Sequence, residues 1–204
     1  MRFWLKENRA NTITYTRLIG CVLMLLAAPF DSAMGKYCAL FLCLYLGATD
    51  MLDGIIARSR YGAITDLGKK LDPLADKIAV IVIYSVILWH HMIPLWIFTL
   101  IVSRDFLTTF LRGSAEKKGI IISAQISGKI KTIIAFGLAF ILLARTPVKY
   151  HDTIFIWPKL VIDAIHQIPE IIVLIIMYSL VIVTIITIAE YLLHYKKLMS
   201  PTKA

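Results

Sequence analysis

Apolar residues run through this chain in long blocks, broken by short clusters of charge. A block of about 18 to 20 apolar residues can cross a bilayer as a helix. The pattern predicts six such spans: about Thr12 to Phe30, Tyr37 to Ala57, Asp72 to His90, Met92 to Arg112, Ser127 to Ala144 and Pro169 to Tyr195. Met1 to Arg9 mixes Phe3, Trp4 and Leu5 with Arg2, Lys6 and Arg9 and reads as a short interfacial helix, with a disordered tail as the alternative. The stretch from Pro147 to Pro169 is the longest connection, and its apolar segment Leu160 to Ile165 predicts a short helix on the outer face. The expected fold class is an all-α integral membrane protein with six transmembrane helices and a short N-terminal interfacial helix. A single membrane-embedded domain over 1–204 is expected, without internal repeats, its first part (1–10) interfacial.

Composition agrees with this pattern. Of 204 residues, 59% are hydrophobic and 17% charged, far from the balance of a soluble domain. The net charge of +9 belongs to loops and an anionic substrate or lipid surface, since no basic–aromatic interleaving points to nucleic acid. With the N-terminus inside, the inner segments hold most Lys and Arg, including Arg58, Arg60, Lys69, Lys70, Arg112, Lys117, Lys118, Lys129 and Lys131. Both termini are therefore expected on the cytoplasmic side. Arg2, Lys6, Arg9 and Arg17 ahead of Leu18 to Ala28 look like a signal peptide, but a retained first span is the preferred reading for a polytopic chain. Cys21, Cys38 and Cys43 lie in apolar stretches without metal-ligand spacing and read as small helix residues.

Four carboxylates break the apolar pattern: Asp50, Asp53, Asp72 and Asp76. Asp50 and Asp53 are three positions apart, Asp72 and Asp76 four, so on helices each pair shares a side. Gly54, Ala57 and Arg58 continue the first stripe, adding room for a ligand and a guanidinium, although Gly54 would also serve close helix packing. Pro73 after Asp72 predicts the first turn of a new helix capped by Asp72. Capping does not account for the other three carboxylates. Such groups persist at a membrane where a cation or substrate compensates them. Hard divalent cations, Mg²⁺ or Mn²⁺, take oxygen ligands and share them with phosphates. Two ions would neutralise the cluster and clamp a diphosphate, Arg58 would contact phosphate oxygens, and one carboxylate would act as general base. The segment from 50 to 77 thus predicts displacement at phosphorus.

At these residues the chain resembles the CDP-alcohol phosphotransferase family, whose motif is D-x2-D-G-x2-A-R-x8-G-x3-D-x3-D. Asp50, Asp53, Gly54, Ala57, Arg58, Gly68, Asp72 and Asp76 match its fixed positions, with nine residues rather than eight between Arg58 and Gly68. The resemblance implies six transmembrane helices, a homodimer, and transfer of a phosphatidyl group from a CDP-linked lipid to an alcohol with release of CMP. It implies that Asp50, Asp53, Asp72 and Asp76 hold two divalent metals and that Asp76 is the general base. Gly54, Arg58 and Thr65 would contact the CDP moiety, together with Asp53, Ala57 and Gly68 of the motif. Asn11, Thr14 and Arg17 fit the family's N-terminal pattern and would line the nucleotide pocket, capping being the alternative for Asn11.

The second half bears on the acceptor. Arg104, Arg112, Lys129 and Lys131 resemble the bacterial phosphatidylglycerophosphate synthase branch, whose acceptor is glycerol 3-phosphate. An anionic acceptor needs a basic pocket, which these four would supply. Alternatively Arg104 pairs with Asp105, and Arg112, Lys129 and Lys131 anchor the inner face. The resemblance places the enzyme in a bacterial inner membrane with its active site toward the cytoplasm, among membrane lipids and with CDP-diacylglycerol as donor. Inositol phosphate, serine or phosphatidylglycerol are the alternative acceptors. A cation transporter is the alternative of another class, but no inverted repeat supports it.

Overall fold

Apolar segments punctuated by polar turns become helices in the computed structural model, which describes residues 9–29, 32–56, 66–116, 126–146 and 156–199. Among the described residues there are helices and no strands: α1 (Arg9–Ala27), α2 (Ala33–Ile56), α3 (Asp66–Trp89), α4 (Leu95–Glu116), α5 (Ile126–Arg145), α6 (Ile156–His166) and α7 (Glu170–Met199). Each predicted span has its helix, and the short helix expected in the longest connection is α6. The interfacial helix lies outside the described residues, except that Arg9 and Ala10 belong to α1.

One local expectation is corrected. Asp72 does not cap a new helix, because α3 already begins at Asp66 and carries Asp72 and Pro73 in its interior. A proline lacks an N–H and disturbs the ladder only locally, so the surrounding turns can carry the helix through it. Asp72 consequently has no capping role to account for its place.

The helix ends show why the segments stop where they do. Ser32 precedes α2, and its Oγ accepts the Gly35 N–H at 3.1 Å, satisfying one orphan donor of the first turn. α3 closes at His91, which adopts a left-handed φ of 55°. The His91 N–H reaches the Leu88 carbonyl at 2.9 Å and the Met92 N–H reaches that of Ile87 at 3.1 Å, the paired bonds of a Schellman cap. Pro94 then separates the cap from α4. α7 has Glu170 in its first turn and Lys196 and Lys197 in its last, both favourable to the helix dipole.

The chain forms two compact units. The first combines Met1–Met92 with Ala139–Gln167, the second Ile93–Leu138 with Ile168–Ala204. In the first, α1 packs against α2 and α3, and α2 also touches α3. Met24, Leu46, Ile83 and Ile87 form its centre. Gly20 of α1 faces α2, where a Cβ would meet Leu46 and the Tyr45 ring at ordinary contact distances of 3.5–3.6 Å. In the second, α4 packs on α7, with Leu111, Ala115 and Tyr191 in one buried cluster.

Burial is partly inverted relative to a water-soluble domain. Thr14, Arg17, Thr49, Lys131, Thr184 and Thr187 are buried, while Ile19, Leu26, Phe41, Phe110, Ile175 and Leu193 are exposed. By length and composition, the stretch Glu170–Lys197 is long and apolar enough to cross a membrane among the described residues, and Thr14–Ala27 and Met34–Thr49 are shorter apolar helical stretches. In α3 the apolar run is shortened by Asp66, Lys69, Lys70, Asp72, Asp76 and Lys77. In α4 it is interrupted by Arg104, Asp105 and Arg112.

Candidate active site

The backbone of α2 carries Asp50, Asp53 and Gly54, and that of α3 carries Gly68, Asp72 and Asp76. By helical register each aspartate pair shares one side of its helix. The side chains of Asp50, Asp53 and Asp72 lie outside the described residues, as do those of Asn11 and Lys129, and so do Ala57, Arg58 and Thr65 altogether. Asp76 is the member of the quartet whose surroundings are described.

Arg17 is central to those surroundings. It is 1% exposed, on α1, between the two helices that carry the aspartates. Its Nη1 donates to Asp76 Oδ1 in an ion pair, and its Nε donates to Thr49 Oγ1 at 3.3 Å. Thr49 in turn donates to the Tyr45 and Leu46 carbonyls, both at 2.9 Å. One guanidinium thus ties α1 to α3 at Asp76 and to α2 beside Asp50. Thr14, one turn before Arg17, is also buried. Asp76 itself is 45% exposed, so its carboxylate faces a charge on one side and open space on another.

An all-carboxylate donor set on two touching helices fits a hard divalent cation. The guanidinium at Asp76 shows directly that this carboxylate accepts a positive partner. Among the described residues no three His, Cys, Asp or Glu side chains come together, three of the four expected ligands lying outside that set.

The second unit holds a separate polar cluster in an apolar setting. Arg104 Nη1 donates to Asp105 Oδ1 at 2.9 Å, and Arg104 Nε donates to Thr187 Oγ1 at 3.2 Å. Lys131 Nζ donates to both Asp105 oxygens, at 2.9 and 3.0 Å. Tyr191 on α7 lies under two guanidinium groups: Arg112 is 5.2 Å and Arg104 5.9 Å from its ring centroid. Arg112 also donates to the Tyr191 hydroxyl. Three of the four predicted basic residues are therefore brought together. The pairing of Arg104 with Asp105, one alternative for that residue, is present as well. Aromatic faces hold guanidinium groups through the ring quadrupole.

Sequence reasoning missed Thr49, Thr187 and Tyr191. A signal for two of them existed: Thr184, Thr187 and Tyr191 recur at helical spacing on a largely apolar segment. Polar groups placed so in a long apolar helix mark its buried side.

Comparison with known proteins bears on both clusters. The CDP-alcohol phosphatidyltransferase family model matches residues 7–165. The chain is 33% identical over 137 residues to the CDP-diacylglycerol–glycerol-3-phosphate 3-phosphatidyltransferase of Bacillus subtilis (strain 168), covering 61% of this chain and 70% of that protein. It is 35% identical over 99 residues to the protein of the same name from Treponema pallidum (strain Nichols), covering 48% of this chain and 45% of the relative. It is also 30% identical over 112 residues to the cardiolipin synthase (CMP-forming) of Streptomyces coelicolor (strain ATCC BAA-471 / A3(2) / M145), covering 53% and 52%. The matched region contains the whole aspartate segment and both of its helices, and the chain belongs to the CDP-alcohol phosphatidyltransferase family.

Proposed function

We propose that this protein transfers the phosphatidyl group of CDP-diacylglycerol to glycerol 3-phosphate, giving phosphatidylglycerophosphate and CMP. Family membership and the names of several relatives support the reaction. The observation that carries the reading is Asp76, a half-exposed carboxylate of the aspartate segment held against the buried Arg17.

The acceptor's 1-hydroxyl loses its proton to Asp76. Its oxygen forms a bond to the phosphorus that bears diacylglycerol, and the bond from that phosphorus to the CMP oxygen breaks. Asp50, Asp53, Asp72 and Asp76 are the residues that would hold two Mg²⁺ or Mn²⁺ ions, whose charge would offset that of the diphosphate. Asn11, Thr14, Arg17, Gly54, Ala57, Arg58, Thr65 and Gly68 bind and orient the CDP moiety. Arg104, Arg112, Lys129 and Lys131 receive the acceptor's phosphate. Positioning and prearranged charge supply most of the acceleration.

The setting belongs to the same proposal. Six helices span a bacterial inner membrane as one catalytic domain, both termini and the site face the cytoplasm, and two copies form a dimer. Exposed apolar residues on α1, α2, α4 and α7 support a lipid environment for these helices.

A second reading, phosphatidylglycerol as acceptor, is favoured by the likeness to cardiolipin synthases. The Arg104–Arg112–Lys131 cluster favours glycerol 3-phosphate, which carries a free phosphate. CMP release from CDP-diacylglycerol with Mg²⁺, offered each acceptor in turn, decides between them. Release with glycerol 3-phosphate is expected, and release with serine or phosphatidylglycerol alone overturns the acceptor. Asp76→Asn is expected to abolish turnover while sparing CDP-diacylglycerol binding, and near-normal turnover would remove Asp76 from the base role.

A further inference from the structure

The basic cluster of the second unit is built around one carboxylate. Asp105 spends both oxygens on Lys131 and one of them also on Arg104. Lys131 is 3% exposed. An ammonium buried beside a guanidinium stays in place and charged only where an anion compensates it. Asp105 supplies that anion, and it does so across two helices, since Asp105 and Arg104 are on α4 and Lys131 on α5. Gly128, one turn before Lys131, borders the same cluster: a Cβ there would lie 3.4 Å from Arg104 Nη2, an ordinary contact. Arg104 is then fixed on its other side by Thr187 of α7.

We propose that Asp105 is the positioning residue that assembles the acceptor-phosphate pocket, holding Lys131 and Arg104 side by side and leaving the cluster with a charge suited to a phosphomonoester. The inference rests on the reading of this cluster as the acceptor site. Arg104, Arg112 and Lys131 carry three positive charges and Asp105 removes one. Two remain among these described side chains, with Lys129 adding to them, so a phosphomonoester of about −1.5 to −2 at neutral pH offsets the pocket better than a single negative charge does. A phosphodiester lipid, with a single negative charge, leaves more positive charge over. Without Asp105 the Lys131 ammonium loses its bidentate partner and is no longer held beside Arg104.

The test uses the full chain in lipid nanodiscs with CDP-diacylglycerol and Mg²⁺. CMP release is measured against glycerol 3-phosphate and against phosphatidylglycerol for the unsubstituted protein, Asp105→Asn and Asp105→Glu, with thermal unfolding of each. Asp105→Asn is expected to raise the KM for glycerol 3-phosphate about tenfold or more, the scale of a lost charge-assisted bond, with the KM for CDP-diacylglycerol unchanged. Asp105→Glu, which keeps the charge, is expected to recover much of the loss. An unchanged KM for glycerol 3-phosphate in Asp105→Asn overturns the positioning role while the function stands. So does an equal loss toward both substrates, accompanied by a lowered unfolding temperature that Asp105→Glu does not restore. Use of phosphatidylglycerol and not glycerol 3-phosphate by the unsubstituted protein overturns the acceptor reading itself, and the inference with it.

Discussion

Arg17 and Tyr191 perform the same kind of work in the two units: each is a buried side chain that holds charged neighbours in register. Arg17 bonds Thr49 and Asp76 at once through different nitrogens, which a point-charge ammonium cannot reproduce. Arg17→Lys is therefore expected to lower CMP release at least about tenfold, read in the same assay. Asp76→Ala takes a carboxylate from a buried guanidinium. The cost is expected to be about 2 kcal/mol, below the ~3–5 kcal/mol of a fully buried pair, because solvent screens the half-exposed Asp76. Thermal unfolding in detergent measures it, and Asp76→Asn, which keeps an acceptor oxygen, should cost less. Tyr191→Phe keeps the ring under Arg104 and Arg112 but removes the hydroxyl that Arg112 meets. Its expected effect is a rise of about fivefold to tenfold in the KM for glycerol 3-phosphate, with binding of CDP-diacylglycerol unchanged.

At the scale of elements, the helix ends carry separable contributions. His91 closes α3 in a left-handed conformation that a glycine adopts without a Cβ penalty. His91→Gly is expected to stabilise the fold by about 1 kcal/mol, visible as a higher unfolding temperature. An unchanged or lower temperature would show that the imidazole compensates the strain. Ser32→Ala should act oppositely, by about 1 kcal/mol, through loss of the cap at Gly35. The helices themselves were legible from apolar block length, because a run of apolar residues between polar turns has few ways to satisfy its backbone. The start of α3 was not. Pro73 is a strong local signal for a first turn, yet α3 extends back to Asp66. Propensity and turn signals describe a segment alone, and they yield where neighbouring turns carry the helix past one weak position.

At the scale of the molecule, metal dependence is the broadest test. Chelation with EDTA is expected to abolish CMP release, and Mg²⁺ or Mn²⁺ to restore it, with Mn²⁺ binding followed independently by its paramagnetic signal. Full activity after chelation would leave the aspartates to another role. The proposed six-span topology predicts both termini on one side, which single-cysteine labelling at each end of the chain in sealed vesicles reads directly.

Spacing along the chain determined the helical class, the aspartate segment and, through its motif, the family. These are local properties, set by residues within about one turn of each other or by runs of like residues. Tertiary packing alone decided which charges meet. Nothing local joins Arg17 to Asp76, 59 positions away, or Arg112 to Tyr191, 79 positions away. Such pairs form because a buried polar group, the Arg17 guanidinium or the Tyr191 hydroxyl, must find a partner, and only the packing of helices determines which partner is within reach.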